Sequence, residues 1–245
     1  MKRNVKSLIG YTMGATDGEI GKIKEFYFDD ETWTIRYLIV ETGNWLFGRK
    51  VLISPQALLT PEWGKEVFPI NLTREQIKNS PDIDTEKPVS RQQEIELNEH
   101  YPWTSYWVGG FYGGLPTPVS QELQKDTDIM AGKKSDDNLH LRSTAKVTGY
   151  KIKALDGEIG DVEDFIFEDS TWKVEFIIVD TGKWLPGKKV LISPKWIKEI
   201  FWETSSVIVQ ASVEQVKSSP EYDPSMPVSE IYEANLQHHY PGFYS

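Results

Sequence analysis

Asp17-Gly18-Glu19-Ile20-Gly21 sets an Asp-Gly turn between two apolar runs, and the same five residues return 139 positions later as Asp156-Gly157-Glu158-Ile159-Gly160. The offset holds outward from there. Trp33 falls on Trp172, Thr42-Gly43 on Thr181-Gly182, Trp45-Leu46 on Trp184-Leu185, and Lys50 to Pro55 on Lys189 to Pro194. Roughly 23 of the 39 positions between 17 and 55 are identical across the offset, which marks an internal repeat. Glu75-Gln76, Ser80-Pro81, Pro88-Val89-Ser90 and His100-Tyr101-Pro102 recur as well. The chain therefore reads as a duplication: one unit at 1–107, a joining segment at 108–143 and a second unit at 144–245.

Each unit begins as β structure. An Asp-Gly pair between apolar runs is a strong hairpin signal, and glycine at 18 and 157 is expected to supply the positive φ of the turn. Ile20, Ile23, Phe26 and Phe28, with their counterparts Ile159, Val162, Phe165 and Phe167, mark a first long strand. Trp33 and Trp172 read as core residues opening a β-branched strand that runs to Val40 and Val179. The acidic turns Asp29-Asp30-Glu31 and Glu168-Asp169 read as solvated loop ends. Ser54-Pro55 and Ser193-Pro194 look like a cap and first position of a single helical turn. Thr73 to Gln76 and Ser212 to Gln215 carry the capping-box pattern. A second helix is expected over Ser90 to His100 and Ser229 to His239, with Val228, Ile231, Tyr232 and Leu236 on one apolar face. The expected fold is mainly β with short helices: two tandem small barrels, each followed by two short helices.

Composition narrows the function. The 37 acidic and 27 basic residues give a net charge of −10, opposite to what phosphate contacts require, so no nucleic-acid partner is expected. Cysteine is absent, which removes thiolate nucleophiles and Cys-ligated metals. No run approaches the length of a membrane span and no secretory leader is visible, so a cytoplasmic location is expected. Neither phosphate-binding glycine fingerprint is present, and no cofactor is expected. His100, His140, His238 and His239 do not converge at ligand spacing, so no metal site is expected. Cationic histidine near a helix C-terminus accounts for the pair at 100 and 239.

Asp17-Gly18-Glu19-Ile20-Gly21-Lys22-Ile23, then Phe26 to Asp30, then Ile35 to Glu41 resembles the PRC-barrel, and Asp156 to Asp180 resembles it equally. That domain is shared by the cytoplasmic part of the photosynthetic reaction-centre H subunit and the C-terminal part of a ribosome-maturation factor. The resemblance implies a barrel of about six strands acting as an adaptor or assembly module, without catalysis. The chain departs from both relatives: it lacks the membrane helix of the one, and a second PRC-like unit stands where the other has a different domain.

The turns Asp17, Gly18 and Gly21, with Asp156, Gly157 and Gly160, define the repeat. Their carboxylates read as turn formers; a hydrolase using them is a weaker alternative, and no catalytic residue is assigned. The candidate partner contacts are Trp45 and Phe47 in the first Thr-Gly-x-Trp-Leu-x-Gly loop, Trp184 and Pro186 in the second, and Trp103 and Trp107 before the joining segment. The loop tryptophans read either as caps over a barrel end or as a contact patch. The joining segment, rich in Gly and Pro and then polar, reads as a linker or, through its aromatics, as a docking element. The leading expectation is a non-catalytic adaptor that binds a protein partner, its units packed as an internal pseudo-dimer, with a homo-oligomer also open. The alternative is a soluble accessory of a membrane electron- or proton-transfer complex.

Overall fold

A computed structural model describes residues 1–85, 89–107, 140–182 and 187–241. Within them the chain is mainly β, with thirteen strands in one mixed sheet and a few short helices. The first half contributes β1 (Lys2–Asn4), β2 (Thr12–Ala15), β3 (Gly18–Asp29), β4 (Thr34–Thr42), β5 (Lys50–Ile53) and β6 (Val67–Pro69). The second contributes β7 (Leu141–Ser143), β8 (Lys151–Lys153), β9 (Glu158–Glu168), β10 (Lys173–Asp180), β11 (Lys189–Ile192), β12 (Ile197–Phe201) and β13 (Ser206–Val209). The helices are α1 (Arg74–Lys78), α2 (Arg91–His100), α3 (Thr144–Val147), α4 (Val213–Lys217) and α5 (Glu230–His239).

The long hairpins β3–β4 and β9–β10 are antiparallel and carry the core. Their alternation fails over Phe26 to Asp29 and over Phe165 to Phe167, where every residue is buried, because both faces of these strands are covered. Gly21 and Gly160 explain their place in the repeat. A Cβ at either would collide with the backbone of the partner strand, at Glu41 or Asp180. Only glycine lets the two backbones come that close. Gly18 adopts φ +148° as the turn requires, but Gly157 does not. The second turn instead closes through the Ala154 amide donating to the Gly157 carbonyl at 2.7 Å.

The two halves meet reciprocally. Strand β1 pairs with β9 of the second half (Lys2 opposite Glu168, Asn4 opposite Ile166), and β7 pairs with β3 of the first (Leu141 opposite Asp29, Ser143 opposite Tyr27). Each pairing is the other shifted by the repeat offset. Leu141–Ser143 thus form a strand inside the segment read as a linker. Between the exchanged strands, Thr34 of β4 faces Lys173 of β10. The Ile35 amide donates to the Trp172 carbonyl at 2.8 Å, and the Val174 amide to the Trp33 carbonyl at 2.7 Å. Phe28 packs on Phe165 with centroids 5.6 Å apart, and Phe26 on Phe167 at 6.4 Å, so the apolar interiors are continuous across the junction.

Trp33 and Trp172 do not open strands. They precede β4 and β10 in left-handed conformations, φ 55° and 59°, half-buried and stacked on Phe28 and Phe167. Nor are the acidic turns solvated ends. Asp29 is only 3% exposed and accepts from the amides of Glu31 and Thr32 and from the Thr32 hydroxyl at 2.8 to 3.2 Å, which folds the turn. Asp30 and Asp169 anchor the exchanged strands. Asp30 accepts from Arg142 Nε at 2.6 Å and Asp169 from Arg3 Nε at 2.8 Å. Each arginine also lies over an indole of its own half: Arg3 over Trp63 at 3.3 Å, Arg142 over Trp202 at 4.0 Å.

Candidate functional site

The loop between β4 and β5 is built around Trp45. Residues Asn44–Leu46 make one tight helical turn. Thr42 closes its base, its amide and hydroxyl both donating to the Arg49 carbonyl at 2.9 and 2.8 Å. The Trp45 indole Nε1 donates to the Ile20 carbonyl at 2.6 Å, and the Arg74 guanidinium sits 4.4 Å above its ring. Trp45 is thereby held half-buried against the core. Phe47 is the opposite case. It is 97% exposed and held in the left-handed region at φ 56°, a conformation that costs a bulky side chain energy. The phenyl ring thus stands in solvent on a braced turn. Trp184 and Pro186 of the second loop lie outside the described residues. The base of that loop repeats the first, with Thr181 donating to the Lys188 carbonyl at 2.8 Å.

Trp103 and Trp107 are occupied within the chain. Trp103 stacks on Tyr101 at 4.3 Å. Trp107 stands edge-on to Tyr106 and lies 4.2 Å beneath the Arg91 guanidinium. The turn carboxylates are occupied too: Asp17 accepts from the Arg74 amide at 2.8 Å, and Asp156 from the Val213 amide at 2.7 Å. These are the first amides of α1 and α4, so each carboxylate complements a helix start. The capping boxes at Thr73–Gln76 and Ser212–Gln215 form as expected. His100 and His239 donate Nε2–H to the carbonyls of Gln76 and Gln215, at 2.8 and 2.7 Å. They tie α2 to α1 and α5 to α4, satisfying carbonyls left open at the ends of short helices. Among the described residues no group of three or more His, Asp and Glu could hold a metal ion.

Sequence reasoning missed a charged cluster in the first half. Glu94 of α2 is 2% exposed. It accepts from Tyr106 Oη at 2.8 Å and Tyr37 Oη at 3.2 Å, and pairs with Arg91 at 3.1 Å. Burial pushes its pKa up, while Arg91 and the two phenols pull it down. Burial and the neighbouring Glu94 carboxylate push both phenols well above the ordinary tyrosine value. Arg36 lies 3.7 Å over the Tyr106 ring at the cluster's edge. At the same offset the second half has Glu175 for Arg36, Phe176 for Tyr37 and Glu230 for Arg91. Differences between the units at matched positions carried this signal. Ile231 of α5, placed on the apolar face, is 76% exposed, because only Leu236 of that helix is fully buried.

No helix among the described residues is long and apolar enough to cross a membrane. No curated protein matches the chain. The first half does have a counterpart among known families: residues 4–71, from the end of the exchanged strand β1 through β6, match the PRC-barrel domain.

Proposed function

We propose that the chain is a tandem PRC-barrel adaptor: two units of one fold, joined as an internal pseudo-dimer, that hold a protein partner without catalysing a reaction. The repeat supports the second unit, since the pairing of the long hairpin, the close glycine contacts at 21 and 160 and the left-handed Trp33 and Trp172 recur at one offset. The observation that carries the adaptor reading is Phe47, a fully exposed aromatic side chain fixed on a turn that Trp45 and Thr42 brace from behind. Rigid aromatic anchors surrounded by a firm scaffold are what interface hot spots are made of. The partner surface would be an apolar pocket of phenyl size, and an intracellular location fits the cysteine-free composition.

The test replaces Phe47 with a photo-crosslinking phenylalanine analogue in cells expressing the full chain. A discrete adduct of defined mass, reduced by excess unmodified protein, is the expected result. Irradiation that yields only uncrosslinked protein or a diffuse smear overturns the reading.

A further inference from the structure

We infer that a cleft across the junction of the two halves binds a small amphiphilic carboxylate, its acid group on Arg36 and its apolar body against Trp172 and Leu59. The cleft comprises two adjoining chambers, each about 340 Å³, that share Pro55 and Trp172 as walls. The first chamber carries the one cationic group. Arg36, Gln56, Asn98 and Tyr106 line it from the first half, and Ser170 and Thr171 face them from the second. Arg36 is the one charged side chain in that lining. The second chamber is walled by the side chains of Leu58, Leu59, Pro61 and Trp63 beside the shared pair. Its single acid, Asp169, is already held by Arg3.

Arg36 points to an anion. Its Nη2 donates to the Thr32 hydroxyl at 3.1 Å, its face rests on Tyr106, and its Nε is buried without a hydrogen-bond partner. It forms no ion pair among the described residues, and burial draws its pKa below the usual guanidinium value although Asp29 and Glu94 act on it from a distance. A half-buried guanidinium in that state gains most from a carboxylate, which its planar donor edge matches. The leucines and tryptophans of the adjoining chamber select for a ligand whose acid carries an aliphatic or aryl body, since burying that body against Leu59 and Trp172 adds hydrophobic stabilisation. The site is one-sided: Glu175 and Lys195 stand where Arg36 and Gln56 would repeat, so the duplicated unit does not reproduce it.

The probes are hexanoate, its uncharged counterpart hexanamide, acetate and inorganic phosphate. Each is titrated into the full chain while the Arg36 Nε–H resonance and heats of binding are followed. Hexanoate is expected to saturate and to shift the Arg36 signal, with acetate weaker and hexanamide weaker still. Arg36→Gln should weaken hexanoate by about tenfold or more, the usual effect of losing a charged hydrogen bond. Leu59→Ser should remove the advantage of hexanoate over acetate. Leu59 is 49% exposed, so this variant keeps the fold if Arg36→Gln does not. Glu175→Gln should change nothing. Equal binding of hexanoate and hexanamide, unchanged binding in Arg36→Gln, or phosphate outcompeting hexanoate would each overturn the inference.

Discussion

At the scale of single residues, the informative positions are those where side chain and environment disagree. Phe47 places an aromatic ring in the left-handed region and in water. Phe47→Gly removes the backbone strain and is expected to raise unfolding free energy by about 0.5–1 kcal/mol, the αL penalty less the added chain entropy. The same variant should lose the crosslinked partner's affinity, and denaturant melts beside a binding assay check both. Asp164 disagrees with its surroundings in another way. It is buried, and although the Lys6 amide donates to it at 3.1 Å, desolvation prevails and raises its pKa from 3.8 to about 6. The folded state therefore binds the proton more tightly than the unfolded state. The group favours folding fully below pH 3.8, and that contribution fades as pH rises to about 6. The difference is roughly 3 kcal/mol. Asp164→Asn should flatten this part of the stability profile between pH 4 and 6, as read by denaturant melts across that range.

At the scale of elements, α2 and α5 occupy matched places with different chemistry. In α2 the buried Glu94 organises two tyrosines and an arginine; in α5 the matched Glu233 reaches Lys2 at 2.6 Å near the surface. Glu94→Ala should cost about 3 kcal/mol, because it leaves Arg91 and two phenols without their acceptor. Glu233→Ala should cost less than about 1 kcal/mol, the range of a solvent-screened pair. Thermal melts of the two variants side by side provide the comparison. Elements whose cause is local were legible in the sequence. Thr73 and Gln76 announce α1 and Ser90 starts α2, each through contacts within a few residues, and Gly18 turns the first hairpin through its own backbone freedom. Elements whose cause is distant were not. Nothing near Leu141–Ser143 says that this strand lies on β3, because its register is set by Asp30 and Arg142, more than a hundred positions apart. Asp29 reads as a surface acid until the turn folds around its carboxylate. Trp45 shows the middle case: the sequence left cap and contact open, and the bond that ties the indole to Ile20 comes from a residue 25 positions away. Phe47, two residues on, stands in solvent.

At the scale of the whole molecule, the junction is built from backbone pairing, aromatic packing and several ion pairs, Lys2–Glu233, Arg3–Asp169 and Arg142–Asp30 among them, so neither half completes its own sheet. The halves should unfold in one cooperative transition. A specific protease site inserted between residues 115 and 130, once cut, should leave fragments that co-elute in size-exclusion chromatography and separate only in denaturant. Fragments that elute apart in native buffer would show that β1 and β7 contribute little to cohesion. Covalent joining has a consequence for mutational history. In a symmetric dimer of two identical chains, every substitution is made twice, on both sides of the axis. Here the two sides are encoded independently. One half can carry arginine and tyrosine at positions 36 and 37 while the other carries glutamate and phenylalanine at 175 and 176. The reciprocal strands hold the scaffold symmetric while its two faces are free to specialise.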